Sequence, residues 1–121
     1  MNCRSILIVE DDKWVREVLS LALQIEGYDV ETAVNGKDGL EVLERMEQPC
    51  LVLLDLMMPV MNGWKFAEAV KANALFAQIP IIVFSAYPDK AKTIKSNAFL
   101  KKPVDMNHLF KVVKENCEKI I

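Results

Sequence analysis

The sequence predicts an α/β domain built as a doubly wound, five-stranded parallel sheet. Short apolar runs, each long enough for one buried strand, alternate with longer segments in which apolar residues recur at helical spacing. The strand runs are almost continuously apolar, which is typical of parallel strands covered by helices on both faces. At 121 residues the chain is expected to form one domain, 1–121, whose core needs no disulfide or structural metal.

The first half of the chain carries three predicted strands and two helices. Ile6–Val9 is the first strand, and Gly27 ends the helix that follows it. Tyr28–Ala33 alternates like a more exposed strand, an Asn-Gly pair at 35–36 turns the chain into the second helix, and Leu51–Leu54 is the third strand. The apolar stripes of these helices are expected at Val15, Val18, Leu19, Ala22 and Leu23, and at Leu40, Leu43 and Met46.

The second half continues the alternation. Pro80–Phe84 is the fourth predicted strand and Ala98–Leu100 a short fifth. The last helix begins near Asp105, a residue type that caps helices well. The apolar stripes are expected at Phe66, Ala67, Val70 and Ala74 in the third helix, and at Met106, Leu109, Phe110, Val113, Cys117 and Ile120 in the last.

Composition narrows the class of protein. The chain is 52% hydrophobic and 26% charged with a formal net charge of -2, which excludes a disordered chain and gives no electrostatic basis for direct nucleic-acid binding. Near its start it has neither a long apolar segment nor a signal-peptide pattern, so no membrane association is expected. Cys3, Cys50 and Cys117 lack metal-ligand spacing and are typical of reduced thiols. We therefore expect a cytoplasmic protein.

Polar residues follow the predicted strands at one edge of the sheet. The cluster Glu10-Asp11-Asp12 follows the first strand, and Asp55 closes the third. If these strands are neighbours, their ends lie about 5 Å apart, and three carboxylates converge on a pocket small enough for one divalent ion. Ser85 directly follows the fourth predicted strand, and Lys102 lies just past the fifth. Ligands of doubly wound sheets bind at this edge, so we expect the functional site here.

Together these pieces resemble the receiver domain of two-component response regulators, in particular those like the chemotaxis regulator. The matching segments are ILIVEDD at 6–12, LLDLMMPVMNG at 53–63, VFSA at 83–86 and FLKKP at 99–103. The resemblance implies the flavodoxin-like strand order 2-1-3-4-5. This chain has fewer residues than most relatives between Ser85 and Lys102, which predicts a shortened fourth helix between strands four and five.

The resemblance implies a phosphorylation switch at this edge. Asp55 would accept the phosphoryl group, because a carboxylate at this position is the family's acceptor. Lys102 would pair first with Asp55 and then with a phosphoryl oxygen, and Ser85 would hydrogen-bond another phosphoryl oxygen. Movement of Ser85 would vacate space into which Phe99, at the family's switch position, can rotate; the alternative is that Phe99 is a permanent core side chain.

The resemblance also implies a magnesium site and a slow return to the unphosphorylated state. Asp11 and Asp55 would bind Mg²⁺, with Glu10 acting directly or through water and Met57 contributing its backbone carbonyl. Met57 and Tyr87 occupy the two positions that tend to control hydrolytic water. Their bulk should hinder attack on the phosphoryl group, so slow autodephosphorylation is expected.

The implied function is a signalling switch of a two-component phosphorelay. A histidine kinase or histidine phosphotransfer protein would donate the phosphoryl group, and the phosphorylated domain would change its binding to a downstream protein. Such a domain is not an enzyme in the usual sense, because it catalyses only its own phosphoryl acceptance and slow autodephosphorylation. The alternative is a pseudo-receiver, a binding module that works without phosphorylation. A phosphatase of the haloacid dehalogenase type is disfavoured, since its second Asp would stand where this chain has Met57.

Overall fold

The structure, a computed structural model, describes residues 4–58, 60–87 and 96–118. The parallel strands are β1 (Ser5–Val9), β2 (Asp29–Ala33), β3 (Pro49–Asp55), β4 (Ile81–Ser85) and β5 (Ala98–Lys101). The helices in these ranges are α1 (Lys13–Ile25), α2 (Gly36–Arg45), α3 (Gly63–Ala72) and the C-terminal α4 (Met106–Glu118). The strand order β2-β1-β3-β4-β5 confirms the predicted fold class and order. The shortened helix predicted between strands four and five falls on 88–95, outside the described residues.

The sheet register brings the ends of the central strands together. Val9 of β1 pairs with Leu54 of β3, and Asp55 pairs with Phe84 of β4. Because the pairing is parallel, the residue that follows Val9 comes level with Asp55 at the carboxyl edge. The first and third strands are therefore neighbours, as the strand order implied by the resemblance requires.

Two apolar layers sandwich the sheet. The layer under α2 and α3 contains Leu54 and Phe66, and the layer under α1 and α4 contains Leu53 and Phe84. Successive side chains of a strand point to opposite faces, so β3 contributes to both layers in turn. All of Leu51–Leu54 is fully buried, as expected of a central parallel strand. The carboxylate of Asp55 is thus held at the end of a rigid, fully packed strand.

Side-chain caps fix the helix starts beside this edge. Asp12 Oδ1 accepts hydrogen bonds from the backbone amides two and three residues further on, at 2.9 and 3.1 Å. Asn62 caps α3 in the same way at 3.1 Å, and Asp105 caps α4 as predicted. Each cap stabilises its helix by about 1 kcal/mol. The loops that leave β1 and β3 therefore have defined ends.

The face of α1 that meets the sheet is narrower than predicted. Val18 was expected in the buried stripe, but 51% of its surface is exposed. Only Leu19 and Leu23 of this helix are buried. The prediction for Val18 is wrong because helical spacing groups residues by face but does not show how wide a face the sheet covers.

Two smaller predictions also need correction. The third helix ends at Ala72, so Ala74 lies outside it; the side chain of Asn73 accepts a hydrogen bond from the Leu75 amide and turns the chain away.

Cys117 is a buried thiol, but Cys50 is disulfide-bonded. The expectation of reduced thiols is therefore wrong at Cys50.

Candidate functional site

Three carboxylates meet at the carboxyl edge of the sheet. One oxygen from each of Glu10, Asp11 and Asp55 lies within 4.8 Å of the others. Glu10 and Asp55 are almost fully buried, at 1% and 3% exposure, whereas Asp11 is exposed. The cluster thus offers only oxygen ligands and is open to solvent on the Asp11 side, a combination that suits a hard cation such as Mg²⁺.

Lys102 is the cation that faces the two buried carboxylates. Its Nζ lies 3.3 Å from Glu10 Oε2 and 3.3 Å from Asp55 Oδ1. Its backbone amide donates a hydrogen bond of 3.0 Å to the carbonyl of Ser85, which fixes the chain where it leaves β5. The ammonium also lies 5.1 Å from the centroid of the Phe84 ring, a cation–π contact. Phe84 was not among the predicted site residues, although its position directly before Ser85 places it on β4, the strand next to β5.

Burial makes ionisation of Glu10 and Asp55 unfavourable even with Lys102 beside them. The pKa of Glu10 is raised to about 8, chiefly by burial and then by the hydrogen bond to Asp55 and its charge, against the opposing effect of Lys102. Burial also raises the pKa of Asp55, although the hydrogen bonds from Glu10 and Lys102 oppose this. A divalent cation would favour the ionised form of these carboxylates, so the residues fit a metal site in charge as well as in ligand type.

The raised pKa of Glu10 predicts that stability falls with rising pH when EDTA is present. The folded pKa lies above the ordinary value of 4.5, so the stabilising contribution is complete below that value and is lost as pH rises through about 8. The free energy of unfolding should drop by on the order of 3 kcal/mol between about pH 5 and pH 8. Denaturant unfolding at several pH values measures this change.

Two variants test whether Glu10 causes this pH dependence. Glu10→Gln has the shape of the protonated side chain and should lose most of the drop. Glu41→Gln replaces an exposed carboxylate on α2 and should behave like the wild type. An unchanged slope in Glu10→Gln would assign the pH dependence to other groups.

The remaining predicted residues lie at the same edge or on β5. Ser85 is buried, and its Oγ accepts a hydrogen bond of 3.0 Å from the Tyr87 amide. Met57 and Tyr87 are about half exposed, just after β3 and β4 respectively. Phe99 is half-buried on β5, where it packs against the apolar layer under α2 and α3. Glu10 and Asp55 thus contact Lys102 directly, while Phe99 lies on β5 and packs into the apolar layer.

Arg16 on α1 holds the acidic turn in place. Its Nη1 donates to the backbone carbonyl of Glu10 at 2.9 Å and to that of Asp11 at 3.4 Å. The side chain of Asp11 is exposed, so its direction depends on the backbone that this contact fixes. Arg16 was not among the predicted site residues; the signal in the sequence was its position one turn after Asp12, the N-cap of α1.

Two glycines allow the loop after Asp55 to pack closely. A Cβ on Gly63 would lie 2.7 Å from the carbonyl oxygen of Asp55, and one on Gly36 would lie 2.7 Å from the carbonyl oxygen of Met61. The amide of Gly63 donates to the carbonyl of Leu56 at 2.9 Å, and the amide of Gly36 donates to that of Met61 at 3.0 Å. The starts of α2 and α3 therefore hold this loop on both sides.

Comparison with known proteins identifies the family. The model of the response regulator receiver domain matches residues 6–114. The chain belongs to this family. RpaA of Synechocystis, described as a DNA-binding dual master transcriptional regulator, is 34% identical over 109 residues, which cover 86% of this chain and 45% of that protein. An uncharacterised 14.6 kDa protein of Leptolyngbya boryana is 36% identical over 117 residues, 93% of this chain and 88% of that protein.

Solved receiver structures agree with this assignment. The chemotaxis protein CheY4 of Vibrio cholerae superposes with a TM-score of 0.86 at 28% identity, covering 94% of this receiver domain and 98% of that chain. The response regulator TrrA of Thermotoga maritima, in complex with Mg²⁺ and BeF, gives a TM-score of 0.83 at 29% identity, with coverage of 93% and 97%. The receiver domain spans less than half of RpaA but nearly all of these two structures.

Proposed function

We propose that this receiver domain is a phosphorylation switch in which Asp55 accepts the phosphoryl group. The observation that carries the proposal is the ammonium of Lys102, 3.3 Å from both Asp55 and Glu10 in a buried acidic cluster. A carboxylate can attack a dianionic phosphoryl group only where cations and fixed donors offset the repulsion. Lys102 would pair first with Asp55 and then with a phosphoryl oxygen, and the hydroxyl of Ser85 would hydrogen-bond another phosphoryl oxygen.

The proposed donor is a phosphohistidine of a histidine kinase or histidine phosphotransfer protein. A carboxylate oxygen of Asp55 forms the new bond to phosphorus while the bond from phosphorus to the imidazole nitrogen breaks, and that nitrogen keeps the electron pair. The imidazole leaves as a neutral ring because its other nitrogen carries a proton in the phosphorylated donor. The products are therefore an acyl phosphate on Asp55 and a neutral histidine on the donor. Ser85 and Phe99 would then change their packing and alter binding to a downstream protein.

The acidic cluster is the proposed Mg²⁺ site. Asp11, Asp55 and the backbone carbonyl of Met57 would hold the ion, with Glu10 acting directly or through water. When bound, Mg²⁺ supplies positive charge that reduces the repulsion between the carboxylate and the phosphoryl group. The carboxylate oxygens of Glu10, Asp11 and Asp55, which lie within 4.8 Å of one another, support this assignment.

The proposal extends to the cellular location of the domain, its bounds and the type of partner it binds. None of the helices in the described part of the chain has the length and hydropathy that a membrane span requires. We place the domain in the cytoplasm and treat 1–121 as one receiver domain. With a net charge of -2 it is proposed to act through protein partners rather than by binding nucleic acid itself.

The test is phosphorylation of the purified chain, followed by intact mass. With acetyl phosphate and Mg²⁺ we expect a single phosphoryl adduct, and with EDTA in place of Mg²⁺ we expect none. A phosphorylated histidine phosphotransfer protein serves as a second donor. If neither donor gives an adduct although Mg²⁺ still binds, the proposal is wrong and the domain is a pseudo-receiver.

Met57 and Tyr87 are proposed to set the lifetime of the phosphorylated state. Their side chains, 47% and 55% exposed, should hinder the approach of water to the phosphoryl group. Met57→Asn should therefore speed autodephosphorylation by about tenfold, which corresponds to about 1.4 kcal/mol. Decay of the adduct after removal of the donor measures the rate.

A distant substitution of the same kind controls for this result. Leu75→Asn replaces another exposed apolar residue, 84% exposed after α3, and should leave the lifetime unchanged. A wild-type lifetime of seconds, or slower decay in Met57→Asn, would contradict the proposal.

A further inference from the structure

The outward face of α1 carries an apolar stripe that the fold does not bury. Its members follow one another in steps of four, three and four residues, which is the heptad spacing of two packed helices. They are exposed by 75%, 51%, 61% and 74%: Trp14, Val18, Leu21 and Ile25. The stripe is separate from Leu19 and Leu23, which anchor the helix to the sheet.

We propose that this stripe pairs antiparallel with the same stripe of a second copy of the chain. The order of the steps is the same in both directions along the helix. A two-fold axis between Val18 and Leu21 therefore places Val18 of each copy opposite Leu21 of the other. The same axis sets Trp14 against Ile25. Every large side chain of the stripe thus meets an apolar partner, as a symmetric interface requires.

The edge of the stripe is compatible with self-pairing. Glu17 and Gln24 occupy the flanking positions that face each other across an antiparallel helix pair. An acid therefore meets a neutral amide, and no like charges are brought together. A parallel pair would instead bring Glu17 near Ala22 of the second copy.

The available area suits a reversible dimer. The exposed parts of the four side chains amount to on the order of 500 Å² per copy, or about 1,000 Å² for the pair, which is the lower limit for a specific interface. An apolar groove of about 540 Å³, lined in part by Val15, Val104 and Met106, adjoins the stripe and extends the contact. We therefore expect a dimer that forms with increasing concentration, not an obligate one.

Sedimentation of the unphosphorylated chain from about 5 to about 500 µM tests the proposal. The average mass should rise towards that of a dimer. Leu21→Glu places a charge at the centre of the stripe and should remain a monomer throughout. Leu75→Glu changes a leucine that is 84% exposed but lies off the stripe, and should dimerise like the wild type.

A pair of substitutions at Gln24 tests the antiparallel arrangement. Gln24→Lys would place a lysine opposite Glu17 at two equivalent positions in each dimer. The dissociation constant of the dimer should therefore fall severalfold at low salt. Gln24→Glu would create two repulsions and should weaken the dimer by a similar factor. In a parallel pair neither substitution faces Glu17, so equal dissociation constants would overturn the antiparallel arrangement.

Two results would overturn the dimer itself. One is a wild-type chain that stays monomeric at every concentration, and the other is a Leu21→Glu chain that dimerises like the wild type. Because no phosphoryl donor is present in these experiments, either result would leave the proposed role of Asp55 untouched.

Discussion

Replacement of Asp55 by asparagine is expected to abolish the phosphoryl adduct. The amide keeps the shape of the side chain, but its oxygen is too weak a nucleophile to displace the donor. Asp55 is 3% exposed and burial raises its pKa, so removal of its charge should leave the domain folded and at least as stable as the wild type. Intact mass after incubation with acetyl phosphate and Mg²⁺, with denaturant unfolding in parallel, measures both effects.

Asp11→Asn distinguishes the loss of a metal ligand from the loss of the phosphoryl acceptor. This substitution changes an exposed carboxylate of the same cluster. It should weaken Mg²⁺ binding and slow phosphorylation by about 10- to 100-fold, yet the adduct should still form on Asp55. An adduct of wild-type yield in Asp55→Asn would assign the acceptor to another residue.

Replacement of Lys102 by alanine is expected to move two measurements in opposite directions. Phosphorylation by acetyl phosphate should slow by about 10²- to 10³-fold, or about 3–4 kcal/mol, because the cation beside the developing charge is lost. Binding of Mg²⁺ should become tighter, because Nζ no longer holds Glu10 and Asp55 at 3.3 Å. The phosphorylation rate and the change in tryptophan fluorescence on Mg²⁺ addition report the two effects separately.

Two further lysine variants sharpen this prediction. Lys101→Ala changes the exposed neighbour at the end of β5 and should match the wild type in both measurements. Lys102→Arg keeps the charge but replaces a compact ammonium by a planar fork, so it should restore only part of the rate. Weaker Mg²⁺ binding in Lys102→Ala would show that the lysine organises the carboxylates instead of competing for them.

The residues at the strand ends were predictable because a parallel sheet delivers them there. A run of four apolar residues followed by an acid predicts a central strand with a charged residue at its carboxyl end. Asp55 lies at the end of β3, as this pattern predicts. Glu10 and Lys102 follow from the same argument on β1 and β5. The four short segments that resemble the receiver family also gave the strand order, which periodicity alone does not define.

Other contacts were outside the reach of the sequence. The cation–π contact of Phe84 and the backbone contacts of Arg16 depend on which side chains meet across elements. The exposure of Val18 depends on how far the sheet extends under α1. Helical spacing defines a face of the helix, but only the neighbouring elements decide which part of it is covered.

The sequence by itself determined the alternating elements, the central strands and the set of residues at their carboxyl ends, because these follow from local periodicity and from the fixed geometry of parallel strands. Only the tertiary structure decided how those residues affect one another. The raised pKa of Glu10 and its contact with Lys102 arise from burial and from distances between groups far apart in the chain. Desolvation and Coulombic energy depend on such distances in space, and no pattern of neighbouring residues contains them.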